Sequence, residues 1–190
     1  QHEDLAIAAL ENILEAPSDE WVGLTANTSM ARIRLSQGDI DLAKKLIDIV
    51  LSKDVNNGDA LLLRANLTLS QGDYDQALGD VRNVIRDTPK SAQAARLLTE
   101  ILVFQGRQEL AIDTLLQYHA QVPEDMGAQV RLAQLYAIKG DVKQSFDILA
   151  KIAENDPSFA VAWETLARLA IENKLYDRAE EAIAHLLETP

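Results

Sequence analysis

The chain has 190 residues, of which 47% are apolar, and it carries a formal net charge of −12. This apolar content supports a continuous core and excludes a disordered acidic tail. The negative charge, with no basic cluster larger than Lys44–Lys45, excludes nucleic-acid binding through phosphate contacts and disfavours an anionic membrane surface.

Composition and the first residues exclude several other classes. The chain contains no cysteine, which rules out disulfides, thiolate metal sites and cysteine nucleophiles but leaves both cytoplasm and bacterial periplasm open. Apolar runs are short and interrupted by charges, so we expect no direct membrane insertion. Residues 1–4 lack the basic and apolar regions of a signal segment, and the missing initiator methionine predicts a processed chain or an excised fragment.

The predicted elements follow one another with a 34-residue period. The pentapeptide LSQGD occurs at residues 35–39 and again at residues 69–73. In the same phase stand Gly38, Gly72, Gly106 and Gly140, with Lys174 as the first departure. Five residues after each of these comes a small residue: Ala43, Ala77, Ala111, Ser145 and Ala179. Twelve residues further on stand Val55, Pro89, Pro123 and Pro157. This regularity indicates a repeat protein.

Within each unit, apolar residues at helical spacing on both sides of the glycine predict two helices joined by a turn. The glycine accommodates a positive φ at the end of the first helix. Asp39, Asp73 and Asp141 are placed to cap the second helix. The small residue marks a close helix crossing, and the proline ends the second helix. At Lys174 the left-handed conformation costs about 1 kcal/mol unless Asn173 adopts it instead.

In chain order, residues 2–16 are predicted to form a lone second helix, with Ala9 in phase with Ala43. A turn at residues 17–19 precedes a first helix that runs a few residues longer than its siblings. Full units then follow at residues 24–57, 58–91, 92–125, 126–159 and 160–190. We therefore expect residues 1–190 to form a single solenoid of five and a half repeats, with about eleven helices.

This pattern resembles the tetratricopeptide repeat (TPR), a 34-residue helix–turn–helix with glycine at the turn, alanine in the second helix and proline at the end. The fifth unit shows the fullest signature, at Trp163, Leu166, Ala167, Tyr176, Ala179 and Ile183. The first unit is weaker, with Asn27 and Arg34 at the tryptophan and tyrosine positions, and Arg64 occupies a usually apolar position in the second. The resemblance covers essentially the whole chain and implies an all-α, right-handed superhelical solenoid of antiparallel helix pairs.

The resemblance also implies that certain first-helix positions line a concave groove. The candidates for a peptide-binding surface are Arg32, Leu62, Asn66, Leu69, Arg96, Glu100, Val103, Phe104, Val130, Gln134, Ile138 and Arg168. The apolar centre of this surface, Val103–Phe104 and Ala137–Ile138, is flanked by Arg96 and Arg168, and such a patch can seat a peptide or a helix. In the alternative interpretation, Phe104 only fills the gap between adjacent first helices.

Some members of the family clamp the terminal carboxylate of a peptide with lysine, asparagine and arginine side chains in the first three units. Of these positions only Asn66 matches, with Arg96 in place of the third-unit lysine and Glu100 where arginine is needed. A clamp for chaperone tails is therefore not expected.

No residues have a spacing suited to catalysis, to a cofactor or to a metal. His2, His119 and His185 are isolated and are interpreted as surface or interhelix residues. Residues 54–59 resemble the start of a calcium loop, but Ala65 stands where the bidentate carboxylate is needed, so a turn between repeats is the better interpretation. We expect no enzymatic activity and no cofactor.

The sequence thus predicts a non-enzymatic scaffold that binds a partner peptide or helix in its concave groove. The alternative is an assembly or self-association module of a larger complex, by analogy with bacterial envelope, secretion or exopolysaccharide machinery. Apolar faces on the helices at residues 2–16 and near the C-terminus favour end-to-end pairing or further repeats outside this chain.

Overall fold

The computed structural model describes residues 7–10 and 20–188, and every regular element in these ranges is a helix. Residues 7–10 are helical, whereas the rest of the predicted helix at 2–16, with His2, and the predicted turn at 17–19 lie outside the described residues. Ten longer helices follow: α1 Glu20–Ser36, α2 Ile40–Lys53, α3 Gly58–Ser70, α4 Tyr74–Asp87, α5 Ala92–Phe104, α6 Gln108–Gln121, α7 Met126–Lys139, α8 Val142–Asn155, α9 Ala160–Glu172 and α10 Tyr176–Glu188. The predicted all-α fold is confirmed.

The chain divides into two compact units, residues 1–97 and 98–190, and the division falls inside α5. In the first unit, α1 packs on α2 and α3 packs on α4, with α3 also touching α1 and α2. The most deeply buried large side chains of this unit include Ile47, Val50, Leu61 and Val81. The odd-numbered helices are the first helices of the predicted repeats and the even-numbered helices are the second ones.

In the second unit, α7 packs on α8 and α9 packs on α10, while α6 contacts α7 and α8 contacts α9. Apolar residues form two clusters, one around Ile112, Leu115 and Leu135, and the other around Leu149 and Ile152. The described residues therefore form adjacent helix pairs. The boundaries of the individual repeats and their union in one solenoid stay predictions.

The turn inside each helix pair has the backbone conformation that the glycines predict. Gly38, Gly72, Gly106 and Gly140 have φ values between +72° and +91°. At the first of these turns, the N–H of Asp39 donates to the carbonyl of Arg34 at 2.9 Å, five residues earlier. Such a bond, with a left-handed residue just before it, closes the end of an α-helix.

Lys174 itself is left-handed at the fifth turn, with φ +60°, whereas Asn173 has φ −97°. The alternative that Asn173 adopts the left-handed conformation is therefore wrong. The N–H of Lys174 donates to Ile171 O at 3.0 Å, and the next N–H donates to Ala170 O at 2.8 Å. The same two backbone bonds close the turn at Gly38, so the fifth turn keeps the geometry of the glycine turns with lysine in this position.

Asp39, Asp73 and Asp141 cap the second helices as expected. Each carboxylate accepts a hydrogen bond from the backbone N–H three residues on, at 3.1 to 3.2 Å. The third pair has Arg107 at this place, and its side chain makes no capping bond. The small residues five positions after the turns are all buried, with exposed fractions from 0 to 4%: Ala43, Ala77, Ala111, Ser145 and Ala179.

Arg64, at a usually apolar position of α3, is paired with a buried carboxylate of α4. Its Nε donates to Asp80 Oδ2 and its Nη2 donates to Asp80 Oδ1, both at 2.8 Å. Gln76 Nε2 also donates to Asp80 Oδ1, at 3.0 Å. The hydrogen bond to Asp80 raises the pKa of Arg64 above its ordinary value, against the opposing effect of burial.

None of the described helices combines the length and the apolar character that crossing a bilayer requires.

Candidate functional site

A cleft of about 510 Å³ lies in the second unit, where first helices α7 and α9 face the beginning of α8. Eleven residues line it: Arg131, Gln134, Ala137 and Ile138 from α7, Val142 and Ser145 from α8, and Thr165, Arg168, Leu169, Glu172 and Asn173 from α9 and its C-cap. Pockets of this size accept small ligands or a few side chains of a partner.

Three of the predicted groove residues, Gln134, Ile138 and Arg168, line this cleft together. Ile138 is 60% exposed, which is high for a large apolar side chain. Val130, predicted for the same surface, is only 4% exposed and belongs to the core cluster beneath it. The cleft therefore presents one accessible apolar side chain between polar ones.

Two cationic side chains and one carboxylate give the cleft its charge. Arg131 is half-buried, whereas Arg168 and Glu172 are exposed. Among the described residues, neither Arg131 Nε nor the Ser145 hydroxyl, both buried, has a hydrogen-bond partner. Because an unsatisfied buried donor is costly, these two groups lower the stability of the cleft wall.

Two other polar side chains of the cleft are satisfied locally. Thr165 Oγ1 donates to Val161 O at 2.7 Å, and Asn173 Nδ2 donates to Leu169 O at 2.8 Å. Both bonds are made within one helix or at its end, so these side chains keep their orientation without an occupant.

The remaining predicted groove residues of α5 differ in accessibility. Phe104 is 60% exposed, and Val103 is half-buried against the cluster around Leu115. Arg96 is exposed and Glu100 is half-buried.

The predicted residues of the first unit contribute unequally to its surface. Arg32 is exposed, with Nη2 at 3.8 Å from a carboxylate oxygen of Asp59. Leu62 is 4% exposed and belongs to the core. Asn66 Nδ2 donates to Leu62 O at 2.8 Å, and Leu69 is half-buried. An exposed cation is thus the most accessible of these four side chains.

Sequence reasoning did not assign Arg131, Ser145 or Thr165 to the site. One signal was available, because Ser145 stands where the other four units have alanine. A hydroxyl at a close helix crossing needs a partner, and this one has none among the described residues.

His119, His185 and the acidic turn are not among the residues that line the cleft. His119 is half-buried on α6, and its Nδ1 has no hydrogen-bond partner in the described part of the chain. The His185 ring stacks on Trp163, with centroids 4.0 Å apart. Asp54 accepts hydrogen bonds from Asn56 N and Asn57 Nδ2, as in a turn. Over residues 7–10 and 20–188, no three His, Asp or Glu side chains are grouped for a metal ion.

A family model described as tetratricopeptide repeat matches residues 28–78 and 62–125, which together span more than half of the chain. A comparison with curated proteins finds no match.

Solved structures share the fold over most of the chain. A tetratricopeptide repeat protein from Parabacteroides merdae ATCC 43184 superposes with a TM-score of 0.74 and 19% identity, over 98% of this chain and 72% of that one. PilW, described as a widely conserved type IV pilus biogenesis factor, superposes with a TM-score of 0.72 and 19% identity, over 89% of this chain and 77% of that one. YrrB, described as a TPR protein with an unusual peptide-binding site, superposes with a TM-score of 0.61 and 17% identity, over 97% of this chain and 91% of that one. At these identities the similarity concerns the fold alone.

Proposed function

The chain belongs to the tetratricopeptide-repeat family, and we propose that it is a non-enzymatic scaffold that binds a segment of a partner protein in the groove of its first helices. Repeats of this kind are interaction modules, because stacked helix pairs leave an extended surface for a partner. The similarity to YrrB, which is described as having a peptide-binding site, supports the same proposal.

The observation that carries the proposal is the cleft between α7 and α9. Three residues that the resemblance to the tetratricopeptide repeat assigns to the groove line it together, from two different helices. The exposed Ile138 offers an apolar contact, while Arg131 and Arg168 add cationic donors to the same cleft. An apolar contact with a few convergent polar groups is typical of a binding site.

The chemistry of the cleft favours one kind of segment. An apolar side chain of the partner would cover Ile138, and an adjacent carboxylate or carbonyl oxygen would accept hydrogen bonds from the arginines. The exposed Glu172 on the same wall would oppose a second carboxylate nearby. The proposed occupant is therefore an apolar residue next to a single acceptor group.

The test begins by identifying a partner with the full chain as bait and then measures its affinity by isothermal titration calorimetry. The double variant Ile138→Ala/Arg168→Glu is expected to weaken binding at least about tenfold, which corresponds to 1.4 kcal/mol. The matched control is Ile49→Ala/Arg82→Glu, which makes the same changes at exposed positions of second helices α2 and α4. Unchanged affinity in the cleft variant, with helicity intact, would refute the groove as the binding surface.

A second test concerns the predicted groove residues of α5. Phe104→Ala combined with Arg96→Glu is expected to weaken the same complex, because Phe104 is exposed and Arg96 is a cation of the same helix. If a partner binds this double variant normally, the groove proposal fails, and the contacts have to lie on the second-helix face or the loops.

Exposed apolar residues on α10 favour a second candidate function, self-association within a larger assembly. Tyr176, Ile183 and Leu187 are 62%, 41% and 82% exposed on this helix. An apolar helix face of this kind is covered when a second copy packs against it. The similarity to PilW, described as a pilus biogenesis factor, is compatible with an assembly role.

Sedimentation over a wide concentration range tests this candidate by itself. Self-association is expected to appear as a mass that rises with concentration, and Leu187→Lys is expected to abolish the rise. A mass that stays constant would refute the assembly candidate without affecting the groove proposal.

A further inference from the structure

The second unit contains another cleft, of about 430 Å³, formed by α8, α9 and α10. It shares no lining residue with the cleft between α7 and α9. Its apolar lining comes from all three helices: Phe146, Ala150, Ala153, Trp163, Leu166 and Ala182. We call it the acidic cleft, because Asp147, Glu154 and Glu181 also line it.

Some charged side chains of this cleft have partners within the chain, and others have none among the described residues. Glu154 and Glu181 are exposed and have no ion-pair partner in the part of the chain that the structure describes. Asp147 lies 3.9 Å from Lys143, in a solvent-exposed pair that contributes little. The one cation of the lining, Arg178, lies over the Phe146 ring at 4.9 Å from its centroid. Two carboxylates are thus available to a partner.

The aromatic wall of the acidic cleft is held in place before any partner arrives. Trp163 Nε1 donates to Pro157 O at 3.0 Å, and the indole stacks on His185 at an interplanar angle of 12°. The hydrogen bond fixes the edge of the Trp163 indole and the stacking fixes its plane. Little side-chain entropy is therefore lost when a partner packs on this wall.

We propose that the acidic cleft docks a basic segment of a partner protein, in which one apolar side chain is flanked by lysine or arginine. The apolar side chain packs on Trp163 and its neighbours, and the flanking cations pair with Glu154 and Glu181. The aliphatic stems of lysine and arginine suit the same lining. A second copy of this chain is a poor occupant of the acidic cleft, because the chain has no basic cluster larger than Lys44–Lys45 to pair with the two carboxylates.

The experiment uses the full chain and a phage-displayed library of random peptides about twelve residues long. Peptides that bind the wild-type chain are expected to be enriched in lysine and arginine next to an apolar residue. The variant Glu154→Lys/Glu181→Lys is expected to lose this enrichment. The matched control Asp113→Lys/Glu180→Lys makes the same change in net charge at exposed residues outside the cleft, and it is expected to keep the enrichment.

One enriched peptide is then synthesised and titrated in a Trp21→Phe background, which leaves Trp163 as the only tryptophan. Binding is expected to change the Trp163 fluorescence, with an affinity at least about tenfold lower in Glu154→Lys/Glu181→Lys. Circular dichroism checks that both double variants fold. Recovery of no peptides, recovery of acidic peptides, or equal losses in the cleft variant and the control would overturn the proposal.

Discussion

The ion pair between Arg64 and Asp80 is the sharpest test of the interior of the first unit. The Asp80 side chain is 3% exposed and that of Arg64 is 33% exposed, so the cost of separating them falls mainly on the carboxylate. Replacing Arg64 by leucine removes two hydrogen bonds of 2.8 Å and leaves Asp80 with the bond from Gln76. Breaking a buried pair from one side costs about 3–5 kcal/mol.

The expected loss is large enough to measure by urea unfolding followed by circular dichroism. With a slope of about 2 kcal/mol per molar urea, a loss of about 4 kcal/mol lowers the midpoint by about 2 M. The control is Lys143→Ala, which removes an exposed pair with Asp147 and is expected to cost less than about 0.5 kcal/mol.

A second variant separates the buried charge from the loss of packing. In Arg64→Leu/Asp80→Ala no carboxylate is left without its cation, so this protein is expected to be more stable than Arg64→Leu alone by about 1–3 kcal/mol. If Arg64→Leu lowers the midpoint no more than the Lys143→Ala control does, the reasoning is refuted. A double variant less stable than Arg64→Leu would show that packing, not the buried charge, dominates.

Three further perturbations probe the repeat chemistry. Ala77→Leu or Ala111→Leu should overpack a fully buried helix crossing and cost about 1–3 kcal/mol, and unchanged unfolding midpoints in both would show a wrong register. Lys174→Gly should increase the free energy of unfolding by about 0.5–1 kcal/mol and raise the thermal midpoint, because glycine adopts the left-handed conformation without the strain that lysine has there. An unchanged midpoint would contradict the presence of this strain. Burial and the hydrogen bond to Asp125 raise the pKa of Tyr118 to about 12. The contribution of the protonated Tyr118 hydroxyl to the free energy of unfolding should therefore be complete below about pH 10 and be lost as pH rises through 12. Ultraviolet titration against Tyr118→Phe checks this shift, and a difference curve centred near 10 would contradict it.

The turns and caps were predictable from sequence because they depend on local chemistry. A positive φ at a helix end favours glycine, and an N-cap favours aspartate. The residue types of Gly38 and Asp39 therefore predict the conformation and the cap that the structure shows. Lys174 shows the limit of this reasoning. There the backbone hydrogen bonds match those of a glycine turn, but neither the lysine nor the asparagine side chain reveals which of the two residues adopts the left-handed conformation.

The burial of a side chain was harder to predict than its position in the repeat. Leu62, Arg96 and Val130 occupy the same register position, yet the two apolar residues are buried and the arginine is exposed. The register therefore identifies a face of the helix, whereas the side chain decides whether it joins the core or the surface. A list of groove positions read from a repeat thus combines binding candidates with core residues.

The acidic cleft was not predicted from the sequence, because two residues expected in the core lie in its lining. Trp163 and Leu166 match the tetratricopeptide signature in the fifth repeat, and a signature residue is usually assigned to the core. Yet the two line a cleft with Glu154 and Glu181, which come from two other helices. Glu154 stands where the preceding unit has Ala120, whereas Glu181 shares its register position with the acidic residues Asp113 and Asp147. A repeat signature records what all units share, namely the contacts that build each helix pair. Binding specificity has to come from residues in which one unit differs from the next, so Ser145 and Glu154 are the positions to test first.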